Sequence, residues 1–183
     1  EDTGKQAWYY FAGGRIDSAV TYYRGKILFG SSDGYVYCLL AKDGSLVWKY
    51  RAAPEQRNIV ALGQLESVWP VHGSILVHEG KVVVVAGRSS YLDGGIFMAL
   101  HDPDTGEVSK ESSIDTTGVE ISFDKAPGAL RDVLVAKGKS VYMYYSELSL
   151  EGTEIKVLED GTDLIKGGPG KADKAKNNSM FLT

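Results

Sequence analysis

The chain is poor in residues that carry chemistry by themselves. It has one cysteine and three histidines in 183 residues. A single Cys38 excludes an internal disulfide, and no Cys/His spacing matches a zinc site. Cys38 lies within the apolar run Tyr35-Val36-Tyr37-Cys38-Leu39-Leu40 with nothing basic beside it, so a buried, inert thiol is expected. No apolar run approaches the roughly 20 residues of a membrane-spanning helix. The net charge of −4 gives no electrostatic footprint for nucleic acid. No Gly-x-Ser-x-Gly element supports a serine nucleophile. Gly13-Gly14 is not followed by a helical pattern and is no dinucleotide fingerprint. Long helices are excluded too, because glycine and β-branched residues are spread evenly along the chain. Only a short turn near Ala53–Arg57 and part of the tail are helical candidates.

What is abundant is strand and turn. There are 22 glycines among many Val, Tyr, Ile and Leu, a composition of short strands joined by tight turns. The punctuation repeats. Trp8 follows Gly4, and Trp48 follows Gly44, by four residues, so the two motifs stand 40 residues apart. A third copy, Asp102 to Val108, keeps the turn at Gly106 but has Lys110 where tryptophan would fall. A period of this size, filled with strands, is that of a β-propeller blade.

The first unit reads as four strands: Ala19–Tyr23, Lys26–Gly30, Tyr35–Leu40 and Ser45–Tyr50. The second repeats them through Ser74–His78, Val82–Gly87 and Ile96–Leu100, followed by an outer strand after Gly106. The third opens with Asp132–Ala136 and Ser140–Tyr145, and Glu154–Leu158 is a candidate for its third strand. Gly-Lys pairs at 25–26, 80–81 and 138–139 mark one hairpin three times. Their wider spacing reflects insertions at about Ala52–Ser67 and Ser112–Gly128, which repeat proteins accept in loops. In the Tyr pairs 9–10, 22–23 and 144–145, alternation should bury one ring and expose the other. The expected fold is all-β: a partial propeller of four-stranded antiparallel blades, about three of them, over residues 1–165. Residues 166–183, rich in Gly and Lys, read as a loop or linker.

The stretch from Gly25 to Trp48 resembles, nearly position by position, the PQQ-like repeat, the tryptophan-docking repeat of quinoproteins. The likeness extends over roughly residues 2–145. It implies that Trp8 and Trp48 dock between blades while Gly44 and Gly106 let the next turn approach. Because a propeller closes with about four to eight blades, it also implies a piece of a longer propeller, whose partners are a protein or the remaining blades. It implies a periplasmic or cell-surface location as well. Quinoprotein dehydrogenases of this family bind PQQ on a tryptophan floor, with Ca²⁺ held by Glu, Asn and Asp and often a disulfide between adjacent cysteines. Here Cys38 stands alone, and Asn58, Asn177 and Asn178 lie in an insertion or the tail. The sequence therefore favours a non-catalytic binding or assembly scaffold without cofactor or metal, similar to the outer-membrane assembly lipoprotein of Gram-negative bacteria. The alternative is a propeller that binds PQQ with calcium, or another ligand.

The polar residues around the innermost strand of the second unit are the candidate ligand site. Glu66, Trp69 and His72 offer an acid, a stacking platform and a base, and Arg88 offers a bidentate partner for a carboxylate or phosphate. The structural alternatives are that Trp69-Pro70 packs on a neighbouring blade, that His72 caps a turn, and that Arg88 pairs with Asp93 inside its own loop. His78 and His101 read as isolated strand residues, solvated or hydrogen-bonded.

Overall fold

The computed structural model describes residues 4–61, 63–115, 133–143, 146–151 and 155–157. These form three four-stranded antiparallel sheets and one two-stranded hairpin, without a helix among the described residues. The first sheet is β1 (Thr21–Tyr23), β2 (Lys26–Gly30), β3 (Tyr35–Leu40) and β4 (Leu46–Arg51), in that order. β5 (Asn58–Ala61) and β6 (Gln64–Ser67) are the hairpin. The second sheet runs β7 (Leu76–His78), β8 (Lys81–Ala86), β9 (Ile96–His101) and β10 (Val108–Ile114). The third runs β11 (Val135–Lys137), β12 (Ser140–Met143), β13 (Ser146–Ser149) and β14 (Ile155–Val157). Each sheet is a meander, a propeller blade with its first strand innermost. Two-residue turns at Arg24-Gly25 and Glu79-Gly80, with φ positive at both positions, close the first hairpins of blades one and two.

Blades stack face to face, so their middle strands are apolar on both sides. In β8, Val82 and Val84 join the cluster shared with Leu28, Val36, Cys38 and Trp48 of the first blade. Val83 and Val85 join Leu134, Val141, Met143 and Leu148 of the third. A run of four valines is what a strand buried on both faces requires. Cys38 is wholly buried, and desolvation pushes its thiol pKa up to about 11, which leaves it inert at neutral pH. On the opposite face of blade one, Phe29, Tyr37 and Leu39 pack with Trp8 and Tyr10. Tyr9 is exposed beside the packed Tyr10, and Tyr22 beside Tyr23, as alternation demands.

The same docking contact is made twice: onto blade one from the segment that precedes it, whose described residues form no strand where the end of an earlier blade was expected, and between blades one and two. The Trp8 indole lies on Gly44 and donates to the Ala41 carbonyl at 3.0 Å. Trp48 lies on Gly106 and donates to the Pro103 carbonyl at 3.2 Å. A Cβ on Gly106 would stand 2.6 Å from Trp48 Cγ, and φ there is +76°. Gly106→Ala is therefore expected to cost about 2 kcal/mol from left-handed backbone strain and overpacking. Thermal melting would check this, and the cost should shrink in a Trp48→Ala background, where the clashing ring is gone. Lys110, in place of the third tryptophan, reaches the next blade the same way: its Nζ donates to the Ser149 carbonyl at 2.9 Å. Ala41, Pro103 and Ser149 each stand three residues ahead of a glycine. The ammonium keeps the hydrogen bond and gives up the ring's buried area, and burial lowers the Lys110 pKa.

Three expectations are corrected. The 154–158 segment supplies the fourth strand of blade three, β14, while Ser146–Ser149 is the third. The sequence has Lys156, not tryptophan, four residues after Gly152, so this strand escapes a search for the full motif. The 52–67 insertion contains a hairpin, not only a loop. The 53–57 stretch is a bend, not a helical turn; the amides of Ala52 and Ala53 donate to the Gly34 carbonyl across the chain. Most of the 112–128 insertion and the 166–183 tail lie outside the described residues, while β10 itself runs on to Ile114.

Candidate functional site

The turn Ser31-Ser32-Asp33-Gly34, between β2 and β3, organises the polar residues. Its two serines are buried. Ser32 Oγ accepts from the Arg15 amide at 2.7 Å, and the Ser32 amide donates to the Arg15 carbonyl at 2.8 Å. The Ser32 carbonyl accepts from Ser67 N at 2.8 Å, and the Ser31 carbonyl from Val71 N at 3.1 Å. One turn thus holds two chain segments side by side: the one leading into β1 and the one leading into β7.

Those segments, with Arg88 from the loop after β8, place five ionisable side chains in contact. Arg15 grips Asp17 with two nitrogens, at 2.5 and 3.2 Å. His72 Nδ1 lies 2.5 Å from Asp17 Oδ2, and the carboxylate, an acceptor only, requires the Nδ1–H tautomer. Glu66 is 1% exposed. Arg88 Nη2 donates to its Oε2 at 2.6 Å and to the Ser67 carbonyl at 3.3 Å. Arg15 Nη2 stands 2.9 Å from Oε1, an ion pair whose alignment falls short of a hydrogen bond. Two guanidinium groups therefore neutralise two carboxylates, with a histidine at one end.

Burial works against the charge of both Asp17 and His72. It pushes the Asp17 carboxyl up, but the hydrogen bonds from Arg15 and His72 outweigh it and hold the pKa below the ordinary carboxylate value. Burial pushes His72 below the ordinary 6.5, against the pull of Asp17. Burial lowers His101 as well; its ring stacks on Trp48 at 5.7 Å, and its Nδ1 donates to the Gly106 carbonyl at 3.0 Å. Both imidazoles favour the neutral form in the folded state. Between each depressed pKa and 6.5 the unfolded chain binds more protons, so stability falls as pH drops below about 6.5. The expected loss is at most about 1.4 kcal/mol per pH unit for each histidine. Melting curves from pH 7.5 to 5 should show it, and His101→Gln should remove part of the slope.

The structure brings Glu66 and Arg88 together and puts His72 in the same cluster through Arg15 and Asp17. Trp69 is elsewhere. It is 4% exposed, meets Phe97 of the second blade edge-on, lies under Arg57 and donates to the Asp93 carbonyl at 2.9 Å. As placed, it has no open face for a ligand to stack on. Arg88 does not pair with Asp93, whose carboxylate is taken by Arg57 at 2.5 Å. His78 Nε2 donates to the Gly138 carbonyl at 2.7 Å, the hydrogen-bonded state of the two expected for it. Arg15 and Asp17 were not singled out from sequence. The signal was available, because they precede the innermost strand of blade one as His72 precedes that of blade two.

Calcium does not fit these residues. The oxygens of Glu66 and Asp17 already face guanidinium or imidazole groups. Among the described residues, no group of three His, Cys, Asp or Glu side chains is placed to hold a metal ion.

No family model matches the chain. The dehydrogenase subunit of alcohol dehydrogenase (quinone) from Gluconacetobacter polyoxogenes is 32% identical over 93 residues, which are 51% of this chain and 12% of that protein. The corresponding subunit from Gluconobacter oxydans is 31% identical over 93 residues, with the same coverage. Among solved structures, BamB from Moraxella catarrhalis has a TM-score of 0.58 at 11% identity, over 85% of this chain and 44% of that one. The last likeness concerns the fold alone. The sequence likeness and the docking geometry together support one reading of the repeat. The chain is a PQQ-like β-propeller repeat protein. This PQQ-like repeat protein spans about an eighth of the curated relatives it matches (12%). No helix among the described residues is long and apolar enough to cross a membrane.

Proposed function

We propose that this PQQ-like repeat segment is a non-catalytic binding or assembly scaffold within a larger extracytoplasmic propeller protein. One observation supports it above the rest: the polar residues at the inner ends of blades one and two are spent on one another. Glu66 is paired twice and buried, so it is a poor general acid or base. His72 is oriented by Asp17, but among the described residues no hydroxyl or thiol nucleophile is paired with it. Trp69 is covered. A cluster whose charges cancel fixes two neighbouring blades and leaves loops and blade faces to make external contacts. The location outside the cytoplasm rests on the kinship with quinone-dependent dehydrogenase subunits and on the propeller fold.

Isothermal calorimetry of the chain with PQQ and Ca²⁺ separates this reading from that of a quinoprotein dehydrogenase. The expected result is no saturable heat. Stoichiometric uptake of PQQ, lost in Arg88→Met, would overturn the scaffold assignment in favour of a cofactor-binding centre.

A further inference from the structure

β4 is the outermost strand of its blade, and among the described residues it pairs with β3 alone. The register fixes which of its backbone groups are left over. The Ala52 amide donates to the Gly34 carbonyl at 3.0 Å, one step beyond the Tyr35–Arg51 pair. Hydrogen-bonded pairs alternate along an antiparallel ladder, so Val36–Tyr50 and Cys38–Trp48 carry the bonds. The amides and carbonyls of Lys49 and Arg51 therefore point away from β3. Among the described residues nothing pairs with them. They open into a cleft of about 750 Å³ between blades one and two, with Glu111 of β10 across it. The side chains of Lys49 and Arg51 are exposed and share one face of β4. The Lys49 ammonium sits over the rings of Tyr35 and Tyr37, at 3.8 and 4.7 Å. Arg51 Nη2 reaches the Pro54 carbonyl at 3.4 Å. Neither cation forms an ion pair among the described residues. Tyr50 stands on the other face, and its hydroxyl donates to Glu111 Oε1 at 2.5 Å.

An open edge beside a cleft is a template for an extended chain. Directly opposed residues of two paired strands put their side chains on the same face. A strand added to β4 thus places two alternate side chains beside Lys49 and Arg51. Carboxylates at those two positions meet cations that lack an acidic partner, while the residue between them falls on the face of Tyr50 and Glu111, where a further acid is repelled. Two cations on the edge also discourage chance pairing with basic or purely apolar strands, so the match is selective. We propose that β4 takes an extended acidic segment of a protein partner as a fifth strand of blade one, with an acid-x-acid pattern set on Lys49 and Arg51. The proposal rests on the reading of the chain as a binding module.

Nuclear magnetic resonance titration of the intact chain with the peptide Ac-Thr-Glu-Val-Glu-Thr-NH₂ tests it. Three peptides serve as comparisons: one with glutamine for both glutamates, one with the two glutamates adjacent, and one N-methylated at both glutamates. The acidic peptide should shift the amides of Lys49 and Arg51 and slow their exchange with solvent. Its affinity should fall about tenfold in the double variant Lys49→Gln, Arg51→Gln, and the glutamine and adjacent-acid peptides should bind the parent chain about tenfold more weakly. N-methylation should abolish binding, because those amides are the ones that donate to the Lys49 and Arg51 carbonyls. Equal binding of the glutamine peptide, indifference to the double variant, or silence at the two amides would overturn the proposal. Full binding of the N-methylated peptide would also overturn it, in favour of ion pairing without strand addition. The peptide comparisons use the parent chain, so they decide the matter even if the double variant does not fold. None of these outcomes touches the calorimetric test with PQQ and Ca²⁺, so the two readings fail separately.

Discussion

Trp48→Ala is expected to destabilise the chain by about 3–5 kcal/mol. A melting temperature lower by on the order of 10 °C would follow for a domain of this size. Trp48 is 8% exposed and belongs to the cluster that joins blades one and two. Its removal empties the space above Gly106, strips the stacking partner from His101 and leaves the Pro103 carbonyl without its donor. Each loss falls on the same seam, so the effect should be cooperative, and the two blades should separate before either sheet unravels. Hydrogen exchange would see this as early loss of protection at β4 and β9. A variant that melts with the parent chain would refute the docking role.

Glu66→Gln is the second large effect, expected to cost about 3 kcal/mol. The substitution keeps the shape and removes the charge that two guanidinium groups share. Arg88 and Arg15 side chains remain 30% and 25% exposed, so water recovers part of their solvation, which places the cost at the low end for a broken buried pair. The double variant Glu66→Gln, Arg88→Met should regain part of the stability, since the orphaned cation is gone. Denaturant unfolding with an unchanged slope would measure both. Full stability in Glu66→Gln would mean that the network contributes nothing, and the scaffold reading would lose its main support.

The two sites differ in how far the sequence revealed them. The docking seam was legible because it is periodic: a tryptophan four residues after a turn glycine, repeated at the same interval, fixes the strand order and the blade contact together. The valine run of β8 was legible as a strand but not as one covered on both faces, which only the third blade makes true. The fourth strand of that blade was hidden because Lys156 stands where the repeat pattern has a tryptophan, so the spacing signal is missing there. The polar cluster was half legible. Glu66, His72 and Arg88 stood out by type, but their partners Arg15 and Asp17 lie about 50 residues earlier in the chain.

The sequence by itself determined what depends on local chemistry: the strands by alternation, the turns by glycine at positive φ, and the repeat by its spacing. Only the tertiary structure decided the partners of the charges, the burial of Trp69 and the cleft beside Glu111. Those depend on which inner ends one serine turn draws together and on the gap two twisted sheets leave at their rims. Neither quantity is written in any single segment, because each is set by the packing of blades that are far apart in the chain.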